Sequence, residues 1–232
     1  MSLVSYQLEG SVATVTLDDG KANVLSLAMQ ADLNAALDRA EADGSVVVLA
    51  GRPGILSGGF DLGVLTGGGQ DSFDMLFGGF ELSYRLLSFP TPVVIACTGH
   101  AVAMGLFLLL SGDHRIGVDG PCKLIANEVA IGMTLPWAAV EMCRQRLTPA
   151  AFNRVVNLSE QFTGDAAAVE AGILDELAPA DQVVAAAQAK AVQLAGLNLR
   201  AHTATKLRAR KAALEAIRAG IEADDAELRP FL

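Results

Sequence analysis

Aromatic and charged side chains are both scarce in this chain. Phe, Tyr and Trp supply 5% of its 232 residues and Asp, Glu, Lys and Arg 19%, against 52% hydrophobic residues. That leaves ample material for a core. A surface so lean in charge points to apolar area covered by other subunits, and a large enclosed core fits the same composition. Basic residues are in deficit, and the net charge of −9 argues against nucleic acid and anionic membrane as partners. A polyanionic ligand would need a local basic patch. Arg200, Lys206, Arg208, Arg210 and Lys211 form one by sequence, and the same five also fit a solvated helix face. Cys97, Cys122 and Cys143 lack paired or metal-type spacing, and His100, His114 and His202 are scattered. Both facts argue against a zinc site and for reduced, buried thiols. The apolar run Ala101–Leu110 is too short to span a bilayer, and Met1–Gly10 has no signal pattern. The sequence thus reads as cytosolic.

What is present alternates in type. Val4–Leu8 and Val12–Leu17 are β-branched runs around Glu9-Gly10-Ser11, a hairpin signal. Ser26 is placed to cap a helix reaching about Ala42. Val46–Ala50 and Pro92–Cys97 are continuous apolar runs, as strands buried on both faces would be. Gly63–Gly69 reads as a flexible, Gly-rich loop. Helices are predicted over Phe73–Leu87, Ala103–Leu110, Trp137–Leu147, Pro149–Leu158, Asp181–Ala195 and Ala204–Gly220. Strands are predicted at Arg115–Val118 and Lys123–Ala126. A further helix is expected to start at Phe162–Asp165, capped by Thr163 or Asp165. The whole implies an α/β core followed by a helical C-terminal part.

Two small-residue turns stand out. One is Ser57-Gly58-Gly59-Phe60-Asp61-Leu62, the other His100–Phe107. A turn without bulk exposes backbone N–H groups, and two such turns meeting in space hold a developing oxyanion. Taken singly, each also fits an ordinary tight strand-to-helix connection, with Phe60 in the core and Asp61 as a helix cap.

The ordered set of motifs resembles the crotonase (enoyl-CoA hydratase/isomerase) superfamily. Leu56–Leu62 is similar to its F-x-A-G-x-D-L signature and Ala22–Leu25 to x-N-A-L. Phe89–Gly99 and Ala101–Asp113 match its central strand and the helix after it. Asn127–Gly132 is similar to P-E-x-x-x-G, and Ala168–Leu177 to A-x-x-x-G-L-V-D-E-V. The resemblance implies a spiral of ββα units over residues 1–190. It also implies a C-terminal helical trimerisation segment over residues 191–232, giving a homotrimer or a dimer of trimers. It further implies an acyl-CoA thioester as ligand, with no separate cofactor and no metal. By motif, the oxyanion donors are the amides of Phe60 and Met104. Ala22, Asn23, Val24, Gly58 and Gly59 would line the CoA channel, with Lys21, Arg52 or the Arg200–Lys211 patch against its phosphates.

Departures from the family pattern narrow the chemistry. Hydratases carry two glutamates. The second matches Glu128, but the position of the first is Phe107, which cannot move a proton. The glycine triplet reads Ala103-Met104-Gly105. Members that shift a double bond resemble this chain in keeping the second glutamate alone. Phe107 beside Leu106 and Met104 would dry the pocket and raise the pKa of Glu128. Trp137, where the family has small residues, would either close the acyl pocket or pack as core. The expected activity is Δ3,Δ2-enoyl-CoA isomerisation. Hydration or another enolate reaction, using Glu81 or Asp61 as replacement carboxylate, stays open, as does a non-catalytic acyl-CoA binder.

Overall fold

The computed structural model describes residues Ser2–Arg229. Its elements in chain order begin with β1 (Val4–Glu9), β2 (Val12–Leu17), α1 (Leu27–Ala42), β3 (Val46–Gly51), β4 (Gly54–Ser57), α2 (Leu62–Gly67) and α3 (Gly69–Ser88). Then come β5 (Val93–Cys97), β6 (Gly99–Val102), α4 (Met104–Leu110), β7 (His114–Val118), β8 (Gly120–Ile125) and a 3-10 turn (Val129–Ile131). The remainder is α5 (Trp137–Arg144), α6 (Pro149–Leu158), β9 (Phe162–Gly164), α7 (Ala166–Glu170), β10 (Glu176–Ala178), α8 (Val183–Ala195), α9 (Leu199–Ala209) and α10 (Lys211–Leu228).

The strands form two sheets. The larger has the order β1-β2-β3-β5-β7-β10, the smaller β4-β6-β8-β9. All pairings are parallel except β1 with β2 and β8 with β9. Every residue of β3 and β5 is buried, which is why both read as unbroken apolar runs. Helix α8 lies across β2, β3, β5 and β7 of the large sheet. The sequence places each Gly-rich turn directly after a long strand. In the structure a short second strand, β4 or β6, intervenes, and these strands build the small sheet that carries the turns.

A buried ion pair closes the large sheet. Arg115 on β7 is 1% exposed and binds Asp175 bidentately, both contacts at 2.9 Å. Arg146 adds a third contact at 2.7 Å, and Arg115 Nη1 donates to the Gly172 carbonyl at 2.8 Å. Asp175 thereby delivers β10 to β7. This gives the Ala168–Leu177 motif a structural role in place of a chemical one.

Three sequence expectations are corrected. Gly63–Gly69 is mostly helix: Asp61 Oδ1 accepts from Gly63 N and Val64 N and starts α2. Only Gly68 and Gly69, with φ of 65° and 74°, break the chain between α2 and α3. Phe162–Gly164 is a strand because it pairs with β8. Thr163 Oγ1 accepts from Cys122 N at 3.1 Å instead of capping, and Asp165 caps α7. The helix expected over Ala204–Gly220 is two helices. They part at Arg210, whose guanidinium is drawn to the Leu87 carbonyl and Asp113, both at 2.9 Å. The C-terminal helical segment, expected over 191–232, is described as far as Arg229. No helix among the described residues is long and apolar enough to cross a membrane.

Candidate active site

The first turn is clamped by the loop before α1. Gly58 N donates to Ala22 O at 2.8 Å, Leu25 N to Gly59 O at 2.7 Å, and Ser57 Oγ to Asn23 O at 2.7 Å. Ala22–Val24 and Gly58–Gly59, predicted to share one channel, are therefore in contact. Asn23 holds this loop together. Its side chain is fully buried, donates to Leu17 O at 2.9 Å and Leu56 O at 3.2 Å, and accepts from Asp19 N at 3.0 Å. Its own amide and carbonyl are also engaged. A φ of 49° is held in place by these bonds. Ala22 and Val24 remain half-buried at the loop surface.

The two Gly-rich turns meet. A Cβ on Gly59 would lie 2.9 Å from Val102 O, 3.0 Å from Ala103 Cβ and 3.4 Å from Met104 N. A Cβ on Gly105 would lie 2.3 Å from Ser57 O. Glycine is required at both positions, because backbone from one turn fills the space a side chain would take. Among the described residues neither the Phe60 amide nor the Met104 amide has a hydrogen-bond partner. Met104 is fully buried. Met104 opens α4, whose first amides have no partner within the helix, and Phe60 lies half-buried on the adjoining turn, so both N–H groups are open to an acceptor. Both side chains turn to α3: a Cβ on Gly79 would meet the Phe60 ring at 2.5 Å and Met104 Cγ at 3.5 Å.

Glu128 is fixed relative to these turns by strand register. β8 pairs with β6 through Val102 and Ile125, and Ala103 N donates to Ile125 O at 2.8 Å. Glu128 follows Ile125 by three residues, so the two Cα atoms are within about 11 Å. The Glu128 carbonyl accepts from Met133 N at 2.8 Å. Its side chain is not the surface carboxylate a loop position suggests: the residue is 8% exposed and Oε2 lacks a partner. Burial pushes its pKa up to about 7, against a weaker lowering by its own backbone N–H. The Cys143 thiol on α5 is buried nearby, and the Glu128 charge adds to burial in raising its pKa. Phe107 is buried in α4, all seven residues of which are buried.

Trp137 is not core: it is 56% exposed. With Leu65, Phe73, Leu76 and Met133 it lines a mostly apolar cleft of about 490 Å³ between α2, α3, α5 and α10. The α2 side of this wall was missed in the sequence, where the glycines of Gly63–Gly69 masked Leu65 as helical, whereas Phe73 and Leu76 lie in the helix expected over Phe73–Leu87. Asp224, deep in the same wall, has no local signal.

The basic patch is largely spent. Lys206 Nζ and Arg210 Nη1 contact Asp113 at 2.7 and 2.9 Å, and Lys211 pairs with Glu215. Only Arg200 and Arg208 of the five are outside ion pairs among the described residues. Arg52 donates to the Lys21 carbonyl at 2.8 and 2.5 Å, which sets both at the edge of the Ala22–Val24 loop. Glu81 pairs with Arg218 in an exposed position, and Asp61 is engaged as the α2 cap. No group of three or more His, Cys, Asp or Glu among the described residues is arranged to hold a metal ion.

Residues 7–230 match the family model described as enoyl-CoA hydratase/isomerase. The structure of an enoyl-CoA hydratase from Mycobacterium marinum is 52% identical, with a TM-score of 0.93, covering 97% of this chain and 99% of that one. An enoyl-CoA isomerase from Mycobacterium tuberculosis gives the same identity, TM-score and coverage. Human mitochondrial delta3-delta2-enoyl-CoA isomerase is 27% identical, with a TM-score of 0.91 over 99% of this chain and 91% of its own. Meeting turns, a buried glutamate and these likenesses agree: the chain belongs to the enoyl-CoA hydratase/isomerase family.

Proposed function

We propose that this protein is a Δ3,Δ2-enoyl-CoA isomerase in which Glu128 carries the proton. One observation carries the reading. Glu128 is a buried carboxylate with an unpartnered oxygen and a pKa near neutrality, while the position of a second acid is a buried Phe107. Glu128 takes the proton from C2 of a 3-enoyl thioester. The electron pair moves into the thioester carbonyl, and the resulting oxyanion is received by the amides of Phe60 and Met104. Each such donor is worth about 3–4 kcal/mol of barrier. The carboxylic acid returns the proton at C4, the double bond comes to rest between C2 and C3, and Glu128 is regenerated. No water enters the balance. A base near pKa 7 suits this transfer, because about half of it is ionised at neutral pH and it is strong enough to reach a carbon acid.

Ala22, Val24, Gly58 and Gly59 are proposed to line the passage for CoA, with Lys21 and Arg52 nearest its phosphates. The acyl chain is proposed to enter the apolar cleft beside Trp137. Val192 on α8, Leu207 on α9 and Leu197 between them expose apolar surface, which supports a trimeric or hexameric assembly that light scattering would test.

Relatives named as hydratases make hydration the competing reading, and it would need a second proton carrier, whereas Glu81 is held by Arg218 and Asp61 caps α2. The test is ultraviolet absorbance of the conjugated thioester. Purified protein should raise it with a 3-enoyl-CoA and leave a 2-enoyl-CoA unchanged. Glu128→Gln should slow the rise by roughly 10²–10⁴-fold. Loss of absorbance with the 2-enoyl substrate would establish hydration instead. Tight acyl-CoA binding without turnover on either would identify a binding protein.

A further inference from the structure

The first turn of α5 has no local cap. Its N-cap position is Pro136, which offers no side-chain acceptor. The amides of Trp137 and Ala138 are bound instead by Asp224 of α10, to Oδ1 at 2.8 Å and Oδ2 at 2.9 Å. One carboxylate thus serves two orphan donors of a helix more than eighty residues away. Asp224 is 3% exposed. Gly220, one turn earlier, permits the approach: a Cβ there would meet Ala138 N at 2.8 Å and Trp137 C at 3.0 Å. Helices α5 and α10 therefore touch backbone to backbone at this point.

Both partners of the contact line the apolar cleft. Trp137 and Val140 come from α5, Glu227 and Leu228 from α10, with Asp224 between them. The Trp137 ring is more than half exposed, so its place follows from its backbone, and that backbone is held by Asp224.

We propose that Asp224 is a positioning residue for acyl-chain selectivity, its carboxylate tying α10 to the Trp137 turn and fixing the far wall of the cleft. This rests on the reading of the cleft as the acyl site. On that reading, a chain too short to reach the wall is indifferent to it and a longer one is not. The effect of breaking the tie therefore grows with chain length, whereas general loss of structure would lower turnover on every substrate.

Trp137 is the one tryptophan of the chain, so its emission reports on the wall directly. Wild-type protein is titrated with saturated four-carbon and twelve-carbon acyl-CoA, and an emission shift is expected with the longer ligand only. Asp224→Asn keeps the volume and replaces one acceptor with a donor. Its kcat/KM on a twelve-carbon 3-enoyl-CoA should fall about tenfold through KM, with the six-carbon substrate held within about twofold. Gly220→Ala, which pushes α10 off α5 and leaves the carboxylate intact, should give the same pattern. Equal losses at both chain lengths, or no loss in either variant, overturn the proposal. Silent wild-type emission despite calorimetric binding of the twelve-carbon ligand would instead remove the acyl reading of the cleft, and the proposal with it.

Discussion

The Nζ of Lys206 lies 2.7 Å from Oδ2 of Asp113, and both side chains are shielded from water, at 3% and 12% exposure. The same carboxylate accepts from Val93 N at 2.7 Å, and Arg210 contacts its other oxygen. A single aspartate after α4 thus fastens α9 to the start of β5. Breaking one partner of such a pair leaves a desolvated charge.

Lys206→Met should therefore destabilise the protein by about 3 kcal/mol, lowering its thermal midpoint by roughly 10 °C. Differential scanning calorimetry checks this. An unchanged midpoint would mean that Arg210 and the Val93 amide suffice for Asp113.

Glu128 sets a pH dependence. The ionised form is the base, so kcat/KM on a 3-enoyl-CoA should rise about tenfold per pH unit below 7 and level off above it. A flat profile across that range would remove Glu128 from the rate-determining proton transfer.

The same residue should cost stability at the pH where it works. Its folded pKa of about 7 exceeds the ordinary 4.5, so between these values the folded state holds more protons than the unfolded. Stability then falls as pH rises through that window, by about 3 kcal/mol in all. Glu128→Gln should match wild type near pH 4.5 and exceed it at pH 8. Urea unfolding at both values measures the difference, and equal gaps would refute the burial argument.

Ala103 adopts φ 51° and ψ −123° at the entrance to α4, a region that glycine alone occupies freely. Ala103→Gly should relieve strain of about 1–3 kcal/mol, offset by about 0.4–1 kcal/mol of added chain entropy in the unfolded state. A net gain of about 1 kcal/mol is expected in chemical denaturation. A loss would show that the Ala103 methyl packs usefully against Gly59.

Much of this molecule was legible in its sequence. The hairpin signal around Glu9–Ser11 corresponds to β1 and β2, and Ser26 caps α1 through Met29 N, because these features rest on neighbouring residues. The two turns were also readable, since glycine is conspicuous where backbone must approach backbone. What the sequence hid are relations between distant residues. Lys206 and Arg210 looked like a solvated or phosphate-binding patch because Asp113 lies more than ninety residues away. Glu128 read as a loop carboxylate, and its burial beside Cys143 of α5 is a relation made by the fold. Asn23 matched a motif, but its side-chain bonds to Leu17 and Leu56 join residues brought together by the fold.

Asp224 also bears on synthesis. A ribosome delivers α5 long before α10, so the Trp137 turn emerges with its amides uncapped and waits for the last helix to arrive. Any translation product that stops before residue 224 will lack the tie between α10 and the Trp137 turn, however well its sheets have formed.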